Sequence, residues 1–164
     1  MPGNTLVVLV PDLTNQNAVD PLQPRVDKNT VSMVRQYLQQ HSTAWATHHV
    51  RNPFYEPVRI SVYLKLKTGF EFNYYQKVID QKLREFLSPW IASAAGDIHF
   101  GGKITKSMVV KVLEDMEVVD YLAGLTLQHF TATGSFSNAE VIDTSNPAAI
   151  LVSAANHIIT NYTG

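Results

Sequence analysis

Six histidines stand in a chain of 164 residues that holds no cysteine, so imidazole nitrogen and carboxylate oxygen are the ligands from which a metal site would be built. His48 and His49 are adjacent. In an extended segment they point to opposite faces, which keeps them off a common ion. His41, His99, His129 and His157 lack partners at a spacing such as H-x-x-x-H, and carboxylates near them are sparse. The pattern predicts histidines serving as surface or interface polar groups, with no metal site and no cofactor.

Nucleophiles are equally unsupported. Without cysteine there is no thiolate, no disulfide and no Cys-type zinc site. A G-x-S-x-G elbow is missing, and Ser135 sits in the turn-like Gly134-Ser135-Phe136-Ser137 with no evident base. Gly101-Gly102-Lys103 hints at a phosphate cradle ahead of a helix, but the Walker spacing is absent and a tight turn is the plainer reading. Glu114, Asp115, Glu117 and Asp120 gather carboxylates at the end of a helix. Paired carboxylates can exchange protons, yet these fall on a polar face and read as solvated or partner-facing. Negative charge at a helix C-terminus opposes the macrodipole, a penalty that a basic partner would offset. No residue is assigned a catalytic role.

Arg51, Arg59, Lys65, Lys67 and Lys103, with Tyr63, Tyr74 and Tyr75 nearby, form a candidate basic and aromatic patch of the kind that holds nucleic acid. The RNA-binding signatures are missing. The formal net charge is -1 and the sequence pI about 6.6, so no global basic field draws a polyanion. A nucleic-acid partner is therefore disfavoured. Asn161-Tyr162-Thr163 matches a glycosylation sequon, which reads as chance without a secretion signal. The N-terminus has no such signal, and no apolar run nears the roughly 18 residues that span a bilayer, so no membrane partner is expected; the absence of cysteine fits synthesis in the cytoplasm.

The elements that must position these residues follow from periodicity. Leu6-Val7-Val8-Leu9-Val10, closed by Pro11, reads as a buried strand. Residues 12–27 form a long polar loop. A helix over 28–40 places Val31, Val34 and Leu38 on one face, with Met33 and Tyr37 beside it, and is capped by Asp27 or Asn29. A strand is expected over 45–52. Val58 to Lys67 alternates apolar and polar side chains, so one face lies on a core and the other meets water or a partner. The next helix runs over 73–87 with Tyr75, Ile79, Leu83 and Phe86 as its stripe and Asn73 with Gln76 as a capping box, and Pro89 stops it. Asp97 to Gly102 gives an extended piece and a turn. A third helix over 105–116 buries Val109, Val112, Leu113 and Met116. Val118 to Phe130 is extended and interrupted at Gly124, which reads as a strand with a bend or as a hairpin, with Val141-Ile142 a short strand and Ala149 to Ser153 a further one. Residues 154–162 are ambiguous between a strand and a terminal extension.

The hydrophobic fraction of 45% and charged fraction of 16% are those of a globular chain. The order predicts an α+β fold: a mainly antiparallel sheet with helices on one face, a ferredoxin-like split β-α-β unit and a further α/β extension. Residues 1–68 supply the first strand-helix-strand-strand segment, and residues 69–164 complete or extend the sheet.

Several motifs together resemble the C-terminal region of the baseplate J-like proteins, wedge subunits of contractile phage tails and contractile injection systems. Asn52-Pro53-Phe54-Tyr55-Glu56-Pro57-Val58-Arg59-Ile60-Ser61-Val62 resembles that family's "P-x-Y-x-x-V-x-V-x-V" strand entry. Leu83-Arg84-Glu85-Phe86-Leu87-Ser88-Pro89 matches its "L-x-x-F-L-x-P" helix end. Ile98-His99-Phe100-Gly101 stands at its "W-x-F-G" turn, Glu117-Val118-Val119-Asp120-Tyr121 at its "G-V-x-Y-V" strand, and Val7-Val8-Leu9-Val10-Pro11 at its "V-x-V-V-P" strand. His99 replaces the turn aromatic and Glu117 the glycine. The likeness spans about residues 5–155. It implies a structural wedge component without catalytic residues or cofactor. Implied partners are other wedge subunits, hub and sheath-proximal proteins and further copies of itself. The chain would be a fragment or terminal region of a larger subunit, located in a phage tail baseplate or injection-system particle. The interface candidates are Arg59, Tyr63, Lys65, Lys67, Glu114 and Asp115, with loops 12–27 and 131–147. The alternative is a ferredoxin-like module that binds nucleic acid or a small ligand.

Overall fold

A computed structural model describes residues 3–11, 20–43, 45–92 and 98–163, with Ser137 described by its backbone alone. The chain forms two compact units, residues 1–54 and 55–164.

The first unit holds strand β1 (Asn4–Val8), helix α1 (Lys28–Gln40) and strand β2 (Thr47–Arg51). β1 and β2 pair in parallel as a sheet of their own, Asn4 opposite Thr47 and Val8 opposite Arg51. Parallel pairing requires a crossover between the strands, and α1 is part of it. Asp27 starts the helix: its carboxylate accepts from the backbone N–H groups of Asn29 and Thr30 and from the Thr30 hydroxyl, at 2.9, 3.0 and 2.6 Å. The Thr30 contacts hold that carboxyl below its ordinary range. Arg35 donates to the carbonyl of Val50 at 3.1 Å, and Asn52 clips Val26 by donating to its carbonyl and accepting from its N–H.

The sequence predicts a buried first strand, and here the outcome differs. Leu6 is 48% exposed, and no residue of α1 is fully buried. A β-branched run marks a strand, but its burial depends on how many layers cover it, and among the described residues this unit offers one helix.

The second unit holds β3 (Phe54–Leu66), all but its first residue, and α2 (Phe72–Leu87), then a 3-10 turn at Pro89–Ile91. Strand β4 (Lys103–Thr105), helix α3 (Lys106–Glu114) and strands β5 (Val119–Thr131), β6 (Gly134–Ser137), β7 (Val141–Asp143), β8 (Ala149–Ser153) and β9 (Ile158–Asn161) follow. β6, β5, β3 and β8 lie in that order, and β9 also pairs with β3. β5 runs antiparallel to both β3 and β6, β9 runs parallel to β3, and β4 with β7 makes a separate antiparallel ribbon. The fold is α+β with a largely antiparallel sheet, as the element order predicts.

β3 is the centre of the core. Val58, Ile60, Val62 and Leu64 are fully buried, and between them Arg59, Ser61, Tyr63 and Lys65 turn outward. The buried set meets Ile79, Leu83 and Leu87 of α2, Val109 and Leu113 of α3, and Leu127 of β5. Each such side chain removed from water contributes about 1.5–3 kcal/mol. Both helices therefore cover one face of the sheet. The interruption expected at Gly124 is a bulge: Tyr63 pairs with Gly124 but Leu64 with Leu122.

Helix α2 departs from the predicted capping box. It starts at Phe72, and Glu71 at the N-cap makes no side-chain cap bond. Gln76 instead donates to the carbonyl of Ile159 at 2.9 Å. Asp80 accepts from the N–H of His157 at 3.0 Å, and the Ser88 hydroxyl oxygen accepts from the N–H of Ser153 at 2.9 Å. Gln76, Asp80 and Arg84 recur every fourth residue and so form one ridge of the helix, and the C-cap Ser88 follows it. The ridge lies along β8 and β9 and occupies backbone groups that face away from β3, closing that edge to strand addition. Arg84 completes it, pairing with Asp80 at 2.7 Å.

Candidate interaction surface

The open face of the sheet is set by register. Arg59 stands opposite Gln128, Ser61 opposite Thr126, Tyr63 opposite Gly124 and Lys65 opposite Tyr121. On the other side of β3, Ser61 and Tyr63 face Ile158 and Thr160. Since alternate residues share a face, all of these lie on the side away from α2 and α3. Arg59 sits 5.2 Å from the Phe130 ring centroid and Lys65 5.8 Å from that of Tyr121. Tyr121 meets Tyr162 edge-on at 5.9 Å. Tyr63 is 52% exposed and Ile158 51%. Each cation resting on a ring contributes about 0.5–1 kcal/mol in the open. It also orders a long side chain in advance, which lowers the entropy lost when a partner docks.

Of the six interface residues expected from sequence, Arg59, Tyr63 and Lys65 come together on this face. Lys67 follows in phase just past the end of β3, where its N–H donates to Val118. Glu114 ends α3 and Asp115 is its C-cap, so this pair belongs to the helical layer on the opposite side. The wider basic patch does not assemble. Lys103 pairs with Asp143 on the β4–β7 ribbon, and Arg51 stacks over Phe54 within the first unit. Gly101-Gly102-Lys103 leads into β4 rather than into a helix N-terminus, which removes the phosphate reading. Asp97 and residues 12–19 lie outside the described residues.

Two buried polar clusters carry the residue types of catalysis. In the first, the Glu56 carboxylate accepts from His129 Nε2–H at 2.8 Å and from both the backbone N–H and the hydroxyl of Ser145. A nucleophilic serine gives its hydroxyl proton to the imidazole. Here that proton goes to the carboxylate, and the imidazole is spent on the same group, so the arrangement ties the 143–149 loop to β3 and β5. In the second, Ser153 donates its hydroxyl proton to the carbonyl of Ala154 at 2.8 Å, so its oxygen receives His157 Nε2–H at 3.1 Å. That fixes the tautomer: Nδ1 accepts from the backbone N–H of Ile60 at 3.1 Å. The imidazole thus satisfies a β3 amide at the gap between β8 and β9. Burial is the main cause that pushes its pKa down to about 4, with Arg84 and Arg59 adding to it and Asp80 opposing.

The remaining histidines are dispersed. His41 lies 2.8 Å from the Tyr37 carbonyl and stacks on that ring, His48 meets Ser42, and His49 and His99 are exposed. Among the described residues, no three of His, Asp and Glu converge as a metal site would require, and no helix is long and apolar enough to cross a membrane. Sequence reasoning missed both clusters. Glu56 was legible in part: it continues the inward phase of Val58 and Ile60, and an inward carboxylate requires partners.

A family model described as "Baseplate protein PVC11-like" matches residues 1–155. Among solved structures, a chain in "Cryo-EM structure of the anti-feeding prophage (AFP) baseplate, 6-fold symmetrised" is similar at 17% identity with a TM-score of 0.61. The match covers 79% of this chain and 26% of that one, so this chain spans about a quarter of its length, and the likeness is one of fold. No curated protein matches.

Proposed function

We propose that this chain, which belongs to the family of PVC11-like baseplate proteins, is a structural wedge component of a contractile phage tail or a phage-derived contractile injection system, acting through contacts between subunits. Family membership makes it a baseplate protein. The wedge position and the kinship with baseplate J-like proteins are the finer part of the proposal, and the order of motifs along residues 5–155 supports them. Its partners on this reading are other wedge subunits, hub and sheath-proximal proteins and further copies of itself. The short coverage of the matched baseplate chain supports reading it as one region of a larger subunit.

The observation that carries the proposal is the sheet face turned away from α2 and α3, where Arg59 and Lys65 of β3 rest on the Phe130 and Tyr121 rings of β5 and Tyr63 stands exposed between them. Aromatic and arginine side chains are the groups that dominate protein interfaces. The test is assembly of baseplate particles from neighbouring subunits with either wild-type chain or the Arg59→Glu/Lys65→Glu variant, followed by electron microscopy. The variant should keep the wild-type melting temperature within a few degrees, as surface changes do, and should be absent from the particles. Incorporation at the wild-type level would show that another surface makes the contact.

One observation favours a second reading. Tyr63 between Arg59 and Lys65 on an open sheet is a geometry on which bases stack. Salt-dependent binding of a single-stranded oligonucleotide, measured by fluorescence anisotropy and lost in Tyr63→Ala, would sustain it.

A further inference from the structure

We propose that β9 is a latch that acid releases from the sheet, with His157 as its catch. One side of β3 is paired by β5, from Val58 opposite His129 to Leu66 opposite Val119. The other side is shared by β8 and β9 and has a gap. The Ala154 N–H donates to the Val58 carbonyl at 2.9 Å, and pairing resumes where Ile158 stands opposite Ser61. Between those points the chain leaves the ladder, which would strand the Ile60 N–H without an acceptor inside the core. A buried amide left unpaired is costly. His157 Nδ1 fills the vacancy by accepting from it at 3.1 Å. The imidazole thus fastens the chain to β3 at the point where it re-enters the sheet as β9.

The catch holds in one protonation state only. Nε2 carries the hydrogen that Ser153 Oγ receives at 3.1 Å, and the Ser153 hydroxyl proton is committed to the Ala154 carbonyl. A second proton has only Nδ1 to occupy, and an imidazolium has no acceptor left. Two N–H groups would then point at each other across 3.1 Å. Ile60 is fully buried in the central strand and cannot retreat, so the segment bearing His157 must. β9 is 4 residues long, with Ile159 buried and Ile158 exposed. Besides its pairing with β3, Gln76 holds the Ile159 carbonyl, Asp80 holds the His157 N–H, and the Tyr162 N–H donates to the Leu64 carbonyl. Burial is the main cause that keeps the ring's pKa at about 4 against an ordinary 6.5. Of the charged groups that face it, Asp80 of α2 opposes the shift, while Arg84 of α2 and Arg59 of β3 add to it; β8 and β9 contain none. The released form binds a proton that the latched form excludes, so the latch is shut above pH 6.5 and loosens as pH falls towards 4. Release bares the edge of β3 from Ile60 to Leu64 and takes Ile158 and Thr160 away from the open sheet face.

The latch is tested on the full chain with no partner present, so its failure and that of the assembly reading are separate results. Native-state hydrogen exchange, followed by NMR at pH 7 and pH 4.5 and corrected for intrinsic rates, should show Ile60 and Tyr162 exchanging together through one local opening. Their protection should fall by about fiftyfold between the two pH values. It should hardly respond to low urea, because the opening exposes little surface. Successive N–H groups of a strand point to opposite sides, so Ser61, next to Ile60, faces Thr126 of β5. The Ser61 amide should stay better protected at both pH values and should follow urea. His157→Gln, whose side-chain oxygen accepts from Ile60 without titrating, should cut the pH response of Tyr162 to about threefold or less. If that variant misfolds, the His157 ring titrated by NMR in the wild type decides instead, since its protonation must coincide with the loss of Tyr162 protection. Ile60 exchanging in step with Ser61, equal urea dependence of Tyr162 and Ser61, an undiminished pH response in His157→Gln, or a protonated His157 beside a protected Tyr162 would each overturn the inference.

Discussion

His157 is held neutral by geometry as well as by burial, because each ring nitrogen has a fixed partner and only one carries hydrogen. Its pKa of about 4 lies below the ordinary 6.5. Between those values the unfolded chain binds a proton that the folded chain refuses, so the contribution is whole above pH 6.5 and lost as pH falls towards 4. The shift corresponds to about 3 kcal/mol. Urea unfolding of wild type and His157→Gln at pH 7 and pH 4.5 should show most of this loss in the wild type and little in the variant. Equal losses in both would assign the acid sensitivity elsewhere. Glu56 answers to a similar logic. Glu56→Ala leaves the Ser145 N–H and His129 Nε2–H without their acceptor in a buried site, and it should cost about 3 kcal/mol in denaturant unfolding. Glu56→Gln, which keeps an acceptor oxygen, should cost less.

Helix α2 serves two neighbours at once. Ile79, Leu83 and Leu87 pack on the sheet, while Gln76, Asp80 and Ser88 satisfy the outward edge of β8 and β9. Edge protection by side chains of a packed helix lets the last strands lie at the border of a sheet without inviting another strand. Asp80→Ala should free the His157 amide, and hydrogen exchange there should quicken by about tenfold or more while amides in the middle of β3 keep wild-type protection. At α3 the Thr105 hydroxyl oxygen accepts from the Met108 N–H at 3.3 Å. Thr105→Ala should lower stability by about 1 kcal/mol in thermal or denaturant unfolding, and Thr105→Ser should restore most of it.

The two units differ in how much they can hold by themselves. The large apolar cluster, from Val58 to Ile159, lies wholly within residues 55–164. In the first unit Val50 is buried, but no residue of α1 is. A two-stranded parallel sheet with one helix falls short of the size at which burial outweighs chain entropy. Residues 55–164 expressed alone should therefore unfold cooperatively, and residues 1–54 alone should show weak helical signal and no cooperative transition. A cooperative transition for 1–54 would mean that its core is larger than its side-chain burial indicates. A small unit with exposed Met33, Tyr37 and Leu6 fits a protein that finishes its packing against others.

The elements themselves were legible because local pattern determines them. Alternation from Val58 to Leu66, the 3.6-residue stripes of α2 and α3, the Asp27 cap and the Gly124 interruption depend on neighbours close in sequence. The class of fold and the outward set Arg59, Tyr63 and Lys65 followed from those periods. Long-range pairing decided the rest. Nothing in the spacing of Gln76 and Asp80 says that a strand edge 80 residues later will need them, and a capping box was the nearer use of Gln76. Nor does a β-branched run at Leu6 reveal how many layers will cover it. Local sequence specifies which side chains turn inward, because chain geometry repeats every two or 3.6 residues. Which groups they then meet is fixed only when distant segments pack and every buried donor and acceptor must find a partner.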